Sequence, residues 1–333
     1  MLDETGLWRD LTELPASLEA TLTARDGFVE VAAVLGGREV RRIVCSGNGA
    51  AYYVAMALWL AALEGRGGPE VVAVPSGLLA RGGFRWRDGD VFLAVSSSGE
   101  FRDLVEATEG RPPVPSAAIT STSGSTIASR VGARALVTVL EQRAVTHTQA
   151  FCGNVAAALA VWAEVTSDAG LADALRRLPE DVDKALAASR AWVDDIGAVD
   201  AANAIAFGSG PAWAAALEAA LLLKEVAGIP TEGVETREGA TSAMMALRPG
   251  DLVLSLPTRP DDGLLAEAEE ICAAQGTRVA RAPLAAVCDP RLAAVTTFPA
   301  AAVLSGAIGL GHGLDVDRPA WTDAYYRVAR GTA

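Results

Sequence analysis

The sequence predicts an α/β protein: two parallel sheets, each covered by helices on both faces and related to each other by internal duplication. Three observations carry this. First, segment 43–64, IVCSGNGAAYYVAMALWLAALE, and segment 204–225, AIAFGSGPAWAAALEAALLLKE, each read as a short apolar strand, a Gly-x-Gly turn and an Ala/Leu-rich helix. Gly47 falls on Gly208, Gly49 on Gly210, Tyr52 on Trp213 and Glu64 on Glu225, an offset of 161 (208 − 47). Second, the same offset sets RDGDVFLAVSSSGE (87–100) on RPGDLVLSLPTRPD (248–261) and AAIT (117–120) on RVAR (278–281), without a gap. Third, apolar β-branched runs alternate with helical stretches, the pattern of a parallel sheet buried on both faces.

The elements follow in order. LTELPASLEATL (11–22) reads as an amphipathic helix with Pro15 near its start, where the missing N–H costs least. Strands are expected at RRIVCSG, PEVVAVP, DVFLAVS, PSAAIT and RALVTVL in the first copy. LADALRRLPEDVDKALAASRAWVDDI (171–196) reads as a linking helix. The expected division is an N-terminal helical segment at 1–29, a first α/β domain at 30–170, and a linking helix, second domain and tail at 171–333. Sheets of this kind bind ligands beyond the carboxyl ends of their strands, where the glycine turns lie.

Composition narrows the function. Of the 333 residues, 51% are hydrophobic and 21% charged, enough apolar surface to bury large cores. Twenty-eight basic against 41 acidic residues give a net charge of −13, which argues against a nucleic-acid partner. The longest apolar runs are interrupted by Glu, Lys or Gly, so no membrane span is expected. The start, MLDETGLWRDLTEL, has no basic n-region, and a cytoplasmic location is expected. Cys45, Cys152, Cys272 and Cys288 form no CxxC pair and read as reduced, buried thiols. With two histidines, His147 and His312, a multi-histidine metal site is impossible, and neither metal nor cofactor is expected. No GxSxG nucleophile elbow occurs.

Three stretches of the first copy could carry chemistry. SGNG (46–49), with Gly47 and Asn48, lets backbone N–H groups approach an anion at a helix start, although a tight turn needs glycine anyway. SSSGE (96–100) places Ser96, Ser97 and Ser98 at a strand's carboxyl end, a cradle for phosphate oxygens or a serine-rich helix cap. The second copy has PTRPD there, so the unit folds without the hydroxyls, which favours a binding role. THTQAFCGN (146–154) sets His147 between Thr146 and Thr148, as a ligand contact, a general acid/base or a capping residue. His312, in GLGHGLD, reads as a helix end. The second copy offers carboxylates: Glu218 and Glu225, seven apart on one helix face, then Glu232, Glu235 and Glu238.

IVCSGNGAAYY, VFLAVSSSGEFRDLVEAT and AVTHTQAF resemble the successive motifs of sugar isomerase (SIS) domains, and ALEAALLLKEVAGIPTEG with the terminal GLDVDRP resembles the isomerase half of glucosamine-6-phosphate synthase, without its glutaminase domain. The resemblance spans nearly the whole chain and implies two SIS-type α/β/α sandwiches. It also implies that Ser96, Ser97 and Ser98 bind a sugar phosphate, that the general-base glutamate is Glu225, and that a second glutamate is Glu218. The family's first-turn hydroxyls fall on Asn48 and Gly49, the threonine after SGE on Phe101, the ring-opening histidine on Thr241, and the serine and lysine of its Ser-Thr-Lys on His147 and Gln149. The tail lysine has no counterpart in AWTDAYYRVARG.

The expected function is therefore that of a phosphosugar isomerase, or a related amino-sugar-phosphate deaminase or deglycase. Glu225, with His147 as a second acid/base, moves a proton between C1 and C2. Gly47, Asn48, Ser96, Ser97, Ser98, Thr148, Glu218 and Thr241 contact the substrate. The alternatives are a non-catalytic sugar-phosphate sensor and an isomerase of a non-phosphorylated sugar derivative. Helices such as VAAALAVWAEV and AAALEAALLLKEVAG are apolar on most faces, which, with the resemblance, predicts a homodimer.

Overall fold

In the computed structural model, residues 1–65, 67–284 and 289–330 are described; Cys288 lies outside them. Three helices, α1 (Gly6–Thr12), α2 (Leu14–Thr23) and α3 (Arg25–Leu35), precede the first sheet, and Pro15 is the second residue of α2. Then follow β1 (Arg42–Gly47), α4 (Ala50–Glu64), β2 (Glu70–Pro75), α5 (Ser76–Ala80), β3 (Asp90–Val95), α6 (Arg102–Gly110), β4 (Ser116–Thr120) and β5 (Ala133–Leu136). Helices α7 (Thr148–Thr166) and α8 (Ala169–Ile196) lead to β6 (Ala204–Gly208), α9 (Ala212–Glu225), β7 (Thr231–Glu235), α10 (Thr236–Thr241), β8 (Leu252–Leu256), α11 (Gly263–Ala274) and β9 (Arg278–Arg281). The chain closes with α12 (Ala293–Thr296), α13 (Phe298–Gly311) and α14 (Thr322–Arg330).

Both sheets are wholly parallel. Their strand orders are β2-β1-β3-β4-β5 and β7-β6-β8-β9, the same winding with one strand fewer in the second. Every residue of β1, β3, β4, β6 and β8 is buried, which is why these strands read as unbroken apolar runs. On one face of the first sheet, Val44, Phe92, Ala94 and Ala118 pack with Leu79, Leu104 and Ile127. In the second, Ile205, Phe207 and Val253 pack with Leu265, Ala268 and Cys272.

The duplication holds at atomic detail. Gly49 and Gly210 both have φ +54°, a left-handed turn open to glycine. A Cβ on Gly47 would lie 2.5 Å from the carbonyl carbon of Ala51, and one on Gly208 2.5 Å from that of Ala212, so each turn brings its helix against the strand end. Asp90 accepts the Arg87 N–H at 2.7 Å, and Asp251 accepts the Arg248 N–H at 2.8 Å.

The chain groups into two compact units that are not contiguous in sequence. One holds the first sheet and comprises Ala16–Leu140, Gln149–Arg177 and the tail from Trp321; the other holds the second sheet and comprises Met1–Pro15, Glu141–Thr148 and Leu178–Ala320. Within the latter, Asp317 accepts the N–H groups of Gly6 and Leu7, both at 2.7 Å, which caps α1 from the far end of the chain. Asp10 accepts the N–H groups of Arg143 and Ala144 at 2.9 Å, and Arg143 also pairs with Glu13, tying segment 141–148 to α1.

One expectation changes. One stretch, Pro290–Gly311, is long and apolar enough to cross a bilayer by length and composition, an 18-residue window of it having mean hydropathy 1.6. Its glycines do not interrupt it, and 89% of that window is buried within the protein. A Cβ on Gly309 would lie 2.4 Å from the Val226 carbonyl oxygen, so that glycine admits close packing. Helix α9 packs within the chain against β6, β7, α12 and α13. Cys45, Cys152 and Cys272 are buried.

Candidate functional site

The switch point of the first sheet lies between β1 and β3, whose carboxyl ends run into SGNG and SSSGE. The serine loop has a consistent polarity. Ser96 is buried, and its Oγ accepts the Gly99 N–H at 3.0 Å. Ser97 Oγ accepts an Asn154 Nδ2–H at 3.0 Å, and Ser98 Oγ accepts the Glu100 N–H at 3.3 Å. Each hydroxyl oxygen thus accepts one N–H, and its own proton is left to be donated. The Ser97 carbonyl accepts from Ser121 N–H at 3.1 Å and from the Thr120 and Thr122 hydroxyls at 3.2 Å each, which pins the loop to the end of β4.

Gly99 makes this turn possible. Its φ is +65°, and a Cβ there would sit 2.1 Å from Ser125 Oγ. Glu100 is turned away, accepting the Thr126 N–H and hydroxyl at 2.7 Å each. Helix α6 then starts at an N-cap, Phe101, that supplies no side-chain acceptor, so its first-turn N–H groups are not capped. Three hydroxyl protons and an uncapped helix start are a donor set for an anion.

The SGNG loop behaves differently. Asn48 donates its Nδ2–H to Asp103 Oδ2 at 2.7 Å, and the Ser76 hydroxyl donates to the same oxygen at 2.7 Å. Asn48, expected as an anion donor, is held on a carboxylate in the first turn of α6. Beside it, Asn48, Phe101, Asp103, Glu106 and Tyr325 border a cavity of about 260 Å³. The Phe101 and Tyr325 rings lie 6.3 Å apart, so an aromatic contact takes the place of the threonine hydroxyl that the resemblance implies. Gln149 is buried and accepts the Leu140 N–H at 2.9 Å, a bracing contact in this unit.

In the other unit, the loop matching SSSGE starts with Pro257 and contains Pro260, and Asp262 caps α11 by accepting the Leu265 N–H at 3.2 Å. The carboxylates lie on α9. Glu218 is 4% exposed, and its Oε2 has no hydrogen-bond partner. Burial, and then the charge of Glu225, hold the Glu218 carboxyl well above the ordinary value of 4.5. Glu225 opens to the surface at the end of α9. Desolvation by the surrounding protein raises its pKa too, and Lys224 opposes the shift.

Thr241 is exposed, and its hydroxyl donates back to the Arg237 and Glu238 carbonyls of α10 at 3.0 and 3.2 Å. Glu235 caps α10, accepting the Arg237 and Glu238 N–H groups. Half-buried His147 and buried Thr148 lie on segment 141–148, which groups with the second sheet and not with the first copy, within whose expected bounds of 30–170 it falls. His312 ends α13, as expected.

The structure therefore brings Gly47, Asn48, Ser96, Ser97 and Ser98 together in one unit. It places Glu218, Glu225, Thr241, His147 and Thr148 in the other. Residues not singled out from sequence are Asp103, Asn154 and the hydroxyl-rich run 120–126. That run, TSTSGST after a strand, is a legible signal; a lone Asp in EFRDL and a lone Asn in FCGN are not.

No protein-family model matches the chain. Over 249 residues it is 29% identical to glutamine–fructose-6-phosphate aminotransferase [isomerizing] 1 of Arabidopsis thaliana, a match that covers 68% of this chain and 37% of the relative. The chain thus matches little more than a third of that protein's length. A candidate phosphosugar isomerase from Silicibacter pomeroyi superposes with a TM-score of 0.78 at 25% identity, covering 94% of this chain and all of the other. Glucosamine-6-phosphate deaminase from Thermotoga maritima shares the fold, with a TM-score of 0.75 at 16% identity over 95% of this chain and 98% of the other.

Proposed function

We propose that the chain is a member of the sugar isomerase (SIS) domain family with two SIS units in tandem, that it binds a sugar phosphate through the serine loop of the first unit, and that it moves a proton between C1 and C2 of that sugar. The observation that carries the binding half is the polarity of Ser96, Ser97 and Ser98. Phosphate oxygens only accept hydrogen bonds, and here each of three hydroxyls accepts an N–H of the protein and keeps its own proton to donate, beside an uncapped helix start.

For the chemistry, Glu225 is the base. It takes a proton from the carbon next to the carbonyl while the carbonyl oxygen gains one, giving an enediol. Returning the carbon-bound proton to the former carbonyl carbon, as the hydroxyl on the other carbon gives up its proton, completes an aldose–ketose exchange. A carboxyl with a raised pKa suits this work near neutrality, because basicity and driving force are then balanced. His147 is the second candidate acid/base. The Arabidopsis relative is named for fructose 6-phosphate and the Thermotoga protein for glucosamine 6-phosphate. These support a hexose 6-phosphate, with loss of ammonia as the variant reaction when C2 carries an amine.

The test is NMR of C1 and C2 proton exchange in deuterated buffer with fructose 6-phosphate and glucosamine 6-phosphate. Glu225→Gln is expected to slow exchange by about 10²-fold or more, with binding and melting temperature nearly unchanged. Equal rates in the two proteins would eliminate Glu225. A sensor reading draws on Thr241, whose hydroxyl is returned to its own helix where the resemblance implies a ring-opening histidine. Binding without any exchange would favour it.

A further inference from the structure

We infer that Asn154 is a positioning residue of the anion cradle: it fixes Ser97 as a donor toward the ligand. The inference rests on the reading of the serine loop as a phosphate site.

Asn154 lies on α7, is 1% exposed, and touches the loop from behind. Its Nδ2 donates to the Ala150 carbonyl at 2.6 Å and to Ser97 Oγ at 3.0 Å. The first contact settles the amide's orientation, because a carbonyl can only accept, so the nitrogen must face Ala150. The same nitrogen then offers its second hydrogen to Ser97. A serine hydroxyl has one proton and two lone pairs. With a lone pair facing Asn154, the proton is turned elsewhere, and a phosphate oxygen needs that proton. An acceptor in place of Nδ2 would do the reverse, drawing the Ser97 proton inward and presenting lone pairs to an anion.

Two further observations agree. The Ser97 carbonyl is held by Thr120, Ser121 and Thr122, so the peptide plane between Ser97 and Ser98 is fixed. In a trans peptide the N–H points opposite to the C=O, so the Ser98 N–H is turned away from β4. The loop's direction is thus set from below by the backbone and from behind by Asn154. The Asn154 Oδ1 is buried with no partner, a cost that an apolar side chain would not incur. The donor is what this position gains in return.

The experiment is calorimetric titration of fructose 6-phosphate into the protein, with Asn154→Leu, Ser97→Ala and the double variant. Asn154→Leu removes the donor, needs no partner and adds no charge, and is expected to weaken binding about threefold to tenfold. In the Ser97→Ala background the same change is expected to cost less than about twofold, because its target is gone. Asn154→Ala carries the test if the leucine variant does not fold, with the same loss expected and the same dependence on Ser97. Wild-type affinity in the folded Asn154 variants, or a loss that simply adds to that of Ser97→Ala, would overturn the inference. A wild type that binds neither fructose 6-phosphate nor inorganic phosphate would overturn the underlying reading itself, and the inference with it.

Discussion

The loops after β3 and β8 occupy the same place in two copies of one unit, yet they solve different problems. After β3, Gly99 at φ +65° turns the chain, three serines keep their protons available, and α6 begins without a side-chain cap. After β8, Pro260 stands where Gly99 does, and proline cannot reach positive φ. Asp262 stands where Phe101 does and caps α11 itself. A carboxylate already on one of those N–H groups, at Leu265, works against an anionic ligand there. By contrast, Gly47 and Gly208, Gly49 and Gly210, and Asp90 and Asp251 do the same work in both copies. What folding needs was kept twice, and what it does not need diverged. One carboxylate divides the other way: buried Glu218 of α9 corresponds to buried Ala57 of α4, whereas Glu225 has Glu64 at the matching position.

The largest effect that can break this comparison is at Gly99. Gly99→Val forces a β-branched residue into positive φ and drives its Cβ into Ser125. Backbone strain of about 1–3 kcal/mol predicts roughly tenfold to 100-fold weaker fructose 6-phosphate binding, with a lower melting temperature. Pro260→Gly in the second loop should leave binding within about twofold. Equal losses from both would mean that both loops bind. Next in size is Ser96→Ala/Ser98→Ala, expected to weaken binding about tenfold or more in a normally folded protein, against no change for Thr258→Ala. Calorimetry on these variants would sharpen which hydroxyls matter.

The smallest effect concerns Glu218. Its folded pKa is raised above 4.5, so from there up to the folded value the native state keeps a proton that the unfolded chain has lost. Stability therefore falls as pH rises through that window. Glu218→Gln has no such proton, so its melting temperature should gain on the wild type between about pH 5 and pH 8. A gap that stays constant with pH would show that Glu218 is not protonated in the fold.

Much of the fold was legible because a parallel sheet writes itself locally. Apolar strands, glycine turns and one uniform offset are short-range signals, and β2 and β7 obey the same register. The serine loop was legible through the contrast with its own duplicate. The partners of these residues were not. Nothing in SGNG shows that Asn48 will meet Asp103, 55 positions away in the chain. Segment 141–148 follows β5, yet Arg143 is bound to Asp10 and Glu13 near the other end of the sequence. Gly306 and Gly309 sit inside α13, at close contacts with Leu2, Leu7 and the Val226 carbonyl. A glycine's role depends on what approaches it, which periodicity does not encode.

The exchange of segments between the two units has a consequence for synthesis. The first sheet is translated early, but the unit that contains it also takes in α14, made only after the whole of the second sheet. The second sheet in turn depends on the earliest residues, whose Gly6 and Leu7 amides stay uncapped until Asp317 is made. Neither unit can finish on the ribosome while the other waits. The chain should emerge with both sheets begun and neither closed, a state that exposes apolar surface until late and favours expression conditions that slow elongation or supply chaperones.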